Sequence, residues 1–253
     1  MGKKGQVTLF VIIAIIVVAA GILIYQFVPG IKNAIGPIEE NPNVYIQNCL
    51  EDDVNNFMTT ISRSGGMLNP DHPYSYIGEE IDYLCYTSEY RTMCTVENPM
   101  LINQFEEEMK KALQPRIDEC FDNLVTDYQR KGYDVSLRKG ETFVSLVPSK
   151  LEVKMNNAVS LTKGETNNYE SFSIILNNNL YELISIAYNI LNWEAAYGDA
   201  YVDAYMLNDP NIRIDKIKRG DGTKIYSISE RDTELEFRFA SRSLVAPPGF
   251  GVV

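Results

Sequence analysis

The chain of 253 residues carries a formal net charge of −11, with its acidic side chains spread along the sequence rather than gathered in blocks. That balance argues against nucleic-acid binding and against a peripheral grip on anionic lipid, both of which need basic patches. Apolar content is ordinary for a globular chain, and the single histidine, His72, sits in the turn-rich NPDHPYSY, where an exposed loop residue is expected.

The chain begins MGKKGQVTLFVIIAIIVVAAGILIYQFVPG, with no charged side chain between Lys4 and Lys32. Residues 7–28 are 22 positions dominated by Ile, Val, Ala and Leu. At about 1.5 Å per residue, a helix of that length spans the roughly 30 Å hydrocarbon core of a bilayer. A cleaved secretory signal has a shorter apolar region of about 7–15 residues and ends in a small-x-small site, which is missing here. Residues 1–28 therefore read as a transmembrane anchor with a short basic leader, meeting the bilayer through residues 7–28. Lys3 and Lys4 hold the N-terminus in the cytoplasm, so the rest of this single-pass cell-membrane protein is extracellular. Residues 29–42, broken by Pro29, Gly30, Gly36, Pro37 and Pro42, read as a stalk.

Residues 43–132 read as a helical subdomain. Ile46, Leu50, Val54, Phe57, Met58 and Ile61 recur at helical spacing, and Gly65 and Gly66 stop the pattern. A second stripe runs through Leu101, Phe105, Met109, Leu113, Ile117, Cys120, Phe121, Leu124 and Tyr128. Asn98 and Pro99 mark its start and Gly132 its stop, while Pro115 is expected to kink or split it. The acids of QFEEEMKK read as a solvated helix face. Between the helices, Tyr74, Tyr76, Tyr83, Tyr86 and Tyr90 form a tyrosine-rich loop, expected to cover the helix pair and alternatively to serve as a recognition surface.

Residues 133–253 read as an α+β subdomain. YDVSL and TFVSLVP alternate on either side of RKGE, a hairpin signature. LEVKM, AVSL and ESFSIIL follow, with TKGETNN as a polar turn, so successive strands favour an antiparallel sheet. Asn177 to Asn179 are placed to cap a helix whose stripe is Leu180, Leu183, Ile184, Ala187, Ile190 and Leu191, packed on that sheet. Tyr197 to Leu207 reads as a further short helix. IRIDKI and KIYSIS flank the turn KRGDGT as a second hairpin, LEFRFA is the last strand, and the apolar tail LVAPPGFGVV reads as an extended segment that docks.

The four cysteines, Cys49, Cys85, Cys94 and Cys120, all fall in the outward-facing part, where disulfides are permitted. Four cysteines allow three connectivities, and the sequence does not choose among them. The preferred pairing is Cys49–Cys120, which would staple the two helices, with Cys85–Cys94 closing the short loop CYTSEYRTMC. Close C-x-x-C pairs for zinc are missing, as are phosphate-loop, nucleophile-elbow and HExxH motifs. No catalytic residue, metal ligand or cofactor is therefore assigned.

KKGQVTLF at residues 3–10 resembles the class III signal peptides of archaeal type IV pilin-like proteins. The resemblance implies cleavage between Gly5 and Gln6, with the apolar helix kept on the mature chain. Such pilins carry a glutamate at the fifth mature position. Phe10 stands there, which places an anchor ahead of a filament stem. Over most of its length the chain is also similar to an uncharacterised archaeal membrane-anchored protein family. That family has a KKGQVT-type start, a Cys-Leu helix ending in Gly-Gly, and a second helix with Pro and Cys a few residues apart. The corresponding stretches are NCLEDD, SRSGG and QPRIDECFDN, followed by the strand-rich VSLTKGETNNYESFSIIL and a helix. This implies architecture, location and paired cysteines rather than an activity.

The expectation is a membrane-anchored, outward-facing surface protein with a structural or interaction role, of pilin-like type, whose partner is a second copy or another surface protein. The alternative is an anchored ligand- or partner-binding module that uses the tyrosine-rich loop or a sheet edge. An exported enzyme ranks last, because no convergent titratable groups stand out.

Overall fold

The computed structural model describes residues 41–231 and 233–247. The expected anchor at 7–28 and the cleavage position at Gly5 and Gln6 lie outside the described residues. Among the described residues, no helix is long and apolar enough to cross a membrane.

The described chain is α+β, built on two long helices, a bent β-meander, a mixed sheet and a central helix. Helix α1 (Pro42–Arg63) starts on a proline, whose missing N–H is no loss in a first turn. It stops at Gly65 and Gly66, both left-handed at φ +85° and +90°. Helix α2 (Leu101–Arg130) runs antiparallel to it. Tyr45 donates from its hydroxyl to Asp127 Oδ2 at 2.8 Å, Cys49 is bonded to Cys120, and Arg116 Nε donates to Asp53 Oδ2 at 2.9 Å. The buried residues of α2 are Leu101, Phe105, Met109, Leu113, Ile117, Cys120, Phe121, Leu124 and Tyr128, the stripe read from the sequence. Of the kink or split expected at Pro115, the split does not occur: α2 is continuous. Pro115 lies on the exposed side, where water can satisfy the carbonyl that its ring leaves without a donor.

The segment after α2 does not form the expected hairpin. Strand β4 (Asp134–Arg138) pairs with β7 (Ala158–Lys163), whereas β5 (Thr142–Val147) pairs with β6 (Lys150–Met155). The turn of this hairpin lies instead at residues 148–149. The pairs Arg138↔Ala158 and Thr142↔Met155 leave residues 139–141 opposite 156–157, so β4–β5 and β6–β7 are two long arms bent at one crease. A third arm, β8 (Glu165–Tyr169) with β9 (Phe172–Asn177), pairs with β7 and β6 and bends alongside. Gly140 N–H donates to Asn157 Oδ1 at 2.8 Å, and Asn156 N–H donates to Glu141 O at 3.0 Å, pinning the crease. The stretch read as one polar turn, TKGETNN, is a tight turn at Gly164 followed by strand β8. Paired, it needs no apolar side chains of its own.

The other sheet has the order β1-β2-β12-β11-β10, from β1 (Pro73–Tyr76), β2 (Glu79–Tyr86), β10 (Ile212–Lys218), β11 (Thr223–Glu230) and β12 (Glu236–Arg242). The short β3 (Thr95–Val96) also pairs with β2. The expected hairpin around KRGDGT is present as β10–β11, with Lys218 opposite Lys224. The β2–β12 pair is parallel, with Ala240 opposite Tyr83. Most of the tyrosine-rich stretch is therefore sheet rather than loop: Tyr74 and Tyr76 lie in β1 and Tyr83 and Tyr86 in β2, with Tyr90 in the turn that follows.

Helix α3 (Leu180–Tyr197) touches β2, β3, β11 and β12 of the mixed sheet and also β5, β6 and α2. Its buried residues include the whole stripe from Leu180 to Leu191. Asn178, not the N-cap Asn179, satisfies the first turn, its Oδ1 accepting Leu180 N–H at 3.0 Å. Gly198 ends the helix at φ +76°, so the following short helix α4 starts only at Asp203 (Asp203–Asn208). One apolar core runs from α1 and α2 through the meander and α3 to the mixed sheet.

Candidate functional site

The cysteines form the two expected pairs. Cys49–Cys120 joins α1 to α2, and Cys85–Cys94 joins β2 to the segment leading into β3. Their Cα atoms are 6.1 and 5.3 Å apart, within the ordinary range for a bonded pair. No free cysteine is present among the described residues. Among those residues, no group of His, Cys, Asp and Glu side chains is placed to hold a metal ion.

The acids of α2 do more than face water. Glu106 Oε1 accepts Leu146 N–H of β5 at 2.7 Å, and Glu108 Oε2 accepts Leu68 N–H at 3.3 Å. Burial pushes the Glu106 carboxyl above its ordinary pKa, against the pull of the Leu146 N–H. The pairing with Leu146 closes part of an otherwise open strand edge.

The tyrosines are mostly structural. Tyr83 is buried, its hydroxyl 2.6 Å from Thr223 Oγ1, and burial pushes its pKa up to about 12. Tyr74 and Tyr86 pack edge-on against it at 5.7 and 5.0 Å. Arg238 and Arg242 lie over Tyr76 and Tyr86 at 5.8 and 5.9 Å. His72 is exposed, and its backbone N–H donates to Asp82 Oδ1 at 3.2 Å.

Where α3 ends, the core holds a charged cluster that the sequence reading did not assign, although Glu194 falls about one turn after Ile190 and Leu191 on the buried side. Glu194 is fully buried. Its Oε2 accepts from Lys224 Nζ at 2.7 Å and from Ser241 Oγ at 3.0 Å, and its Oε1 accepts from the Tyr226 hydroxyl. Ser243 Oγ donates to the Glu194 carbonyl at 2.9 Å. Burial, and next the Glu194 carboxylate, push the Tyr226 hydroxyl above its ordinary pKa. At the rim, burial works to raise Asp199, but Lys216, Lys224 and Lys218 outweigh it and hold its carboxyl below the ordinary value. Glu194 has no exposed surface, and the cluster clamps α3 to β11 and β12.

An open groove lies elsewhere. A groove of about 500 Å³ forms where four segments meet. Met58 and Thr59 come from α1, Ser149 from the β5–β6 turn, Asn177, Asn178 and Asn179 from the β9–α3 connection, and Glu230, Thr233, Glu234 and Leu235 from the end of β11 and the loop after it. Two hydrogen bonds set its shape: Asn179 Nδ2 donates to Glu230 Oε1 at 2.9 Å, and Asn178 N–H donates to the Ser149 carbonyl at 3.1 Å.

No family model, no curated protein and no solved structure matches this chain.

The sequence reading gave the groove residues only structural roles, Met58 on a helix stripe, the asparagines as helix caps and Leu235 at the start of the last strand. They come from four stretches spread between Met58 and Leu235, and no local pattern links them.

Proposed function

We propose that the protein is a membrane-anchored, outward-facing surface protein with a structural or interaction role. It is held in the cell membrane by residues 7–28, with its N-terminus cytoplasmic and the remainder extracellular. The observation that supports this most is that all four cysteines of the described chain are paired, two of them stapling α1 to α2. Such bonds persist in oxidising compartments, where the charge bias before the apolar run also sends the domain. The role is non-catalytic. The partner is a second copy or another surface protein, and GQVTLF supports a pilin-like leader cut after Gly5.

The test is labelling of intact cells with a membrane-impermeant reagent, followed by intact-mass and N-terminal analysis of the membrane-extracted chain with and without reductant. Labelling without permeabilisation, and a mass that rises only on reduction, are expected. A chain labelled only after permeabilisation, or found with free thiols, overturns the proposal. A mature N-terminus at Gln6 supports the pilin-like leader, and retained Met1 rejects it.

A second reading, an anchored ligand-binding module, is favoured by the groove at Met58, Asn177 and Leu235.

A further inference from the structure

We infer that this groove binds a neutral, hydroxyl-rich ligand, one or two sugar rings of a glycan. Its volume of about 500 Å³ lies within the range of small-molecule sites. The amides of Asn177 and Asn179 and the hydroxyls of Thr59 and Ser149 line it, whereas the Thr233 hydroxyl is held in its own turn, donating to the Glu230 carbonyl at 3.2 Å and accepting Leu235 N–H at 3.3 Å. Each of these groups both donates and accepts hydrogen bonds, as each sugar hydroxyl does. Met58 and Leu235 supply apolar surface for the C–H face of a ring.

The charges narrow the ligand further. Among the described residues the lining carries two carboxylates, Glu230 and Glu234, and no Lys, Arg or His, so an anion meets repulsion there. Glu230 is oriented before any ligand arrives, because Asn179 Nδ2 already holds one of its oxygens. Asn178 is spent on its own turn, its Nδ2 donating to Leu176 O at 3.1 Å while its Oδ1 takes the Leu180 N–H. That turn sets the spacing of Asn177 and Asn179, and a site already in its binding shape loses less entropy on binding.

The inference deepens the ligand-binding reading and rests on the outward-facing location only for access to glycans. The experiment is saturation-transfer NMR and calorimetry on the full chain in a sugar-free zwitterionic detergent. The probes are mannose, glucose, N-acetylglucosamine and maltose, with glucose 6-phosphate and spermidine as charge controls. At least one neutral sugar is expected to bind with roughly millimolar affinity, ahead of both charged probes. Asn177→Ala, at an exposed position, and Thr59→Ala are each expected to weaken it about five-fold with unchanged thermal unfolding. Absence of transfer to every neutral sugar overturns the inference, as does tighter binding of either charged probe or sugar binding that both variants leave intact. Because surface labelling is read on intact cells without any sugar, failure here is separable from failure of the location.

Discussion

The ammonium of Lys224 lies 2.7 Å from Glu194 Oε2, with the two side chains 9% and 0% exposed. Taking two charges out of water costs several kcal/mol each, and the pair holds because Tyr226 and Ser241 complete the carboxylate's hydrogen bonds. Lys224→Met strands the Glu194 charge and is expected to cost about 3–5 kcal/mol in denaturant unfolding. Lys224→Met combined with Glu194→Leu should lose less than the two single losses added, by a coupling of about 1–3 kcal/mol. Simple additivity would show that the pair is not the clamp described.

The disulfides should differ in worth. Cys49–Cys120 closes 71 residues of sequence separation and Cys85–Cys94 closes 9. The chain-entropy account gives about 4 kcal/mol for the first and about 2–3 kcal/mol for the second. Serine replacement of each pair, followed by thermal or denaturant unfolding, measures both. A larger loss at Cys85–Cys94 would mean that native packing, not unfolded-chain entropy, sets their worth.

Asp82 gives the stability a pH dependence. It is only 3% exposed. Burial pushes its carboxyl up to about 6 from an ordinary 3.8; the His72 N–H pulls the other way, and Asp71 adds to the rise. The native state therefore holds this proton more tightly than the unfolded chain does. The contribution is fully present below the unfolded value and is lost as pH rises through about 4 to 6. At neutral pH the ionised form costs up to about 3 kcal/mol. Asp82→Asn, which keeps an acceptor for the His72 N–H, should stabilise by about 1–3 kcal/mol near neutral pH and by little near pH 4. Asp199, held low by its lysines, acts in the opposite sense: its stabilisation exists above the unfolded carboxylate value and fades as pH falls through the folded one. An equal effect of Asp82→Asn at both pH values would remove Asp82 from this account.

The crease of the meander should tolerate no side chain at residue 140. A Cβ on Gly140 would lie 2.0 Å from the Asn156 carbonyl oxygen, a backbone atom that cannot swing aside. Gly140→Ala is expected to cost about 1–3 kcal/mol, as overpacking does. Gly220→Ala is the control, since a Cβ there meets nothing within 4 Å, and should change stability by about 0.5 kcal/mol at most. Calorimetric unfolding of both variants makes the comparison.

Much of the architecture is local and was therefore legible. The buried side of α2 is the apolar stripe from Leu101 to Tyr128, because a regular helix turns every such residue to one side whatever it meets. The β10–β11 hairpin was legible for a similar reason, as Asp221 and Gly222 make a tight turn between two alternating segments. The Cys49–Cys120 pairing was a preference, as a staple between two helices, and the sequence left the other connectivities open. Around residue 140 the same local logic misled. Glycine there reads as a hairpin turn, but it is needed because Asn156 from another arm packs against its backbone.

The sequence by itself determined the helices, their buried faces and the α+β class, since these depend on side-chain period and on residues within a few positions of one another. Only the tertiary structure decided which strands pair, that β2 and β12 lie parallel, and that Glu194 finds Lys224, Tyr226 and Ser241. It also brought Met58, Asn177 and Leu235 to one groove. Those relationships join residues tens of positions or more apart, where loop closure has to be offset by packing across the whole core, and no local pattern encodes the outcome.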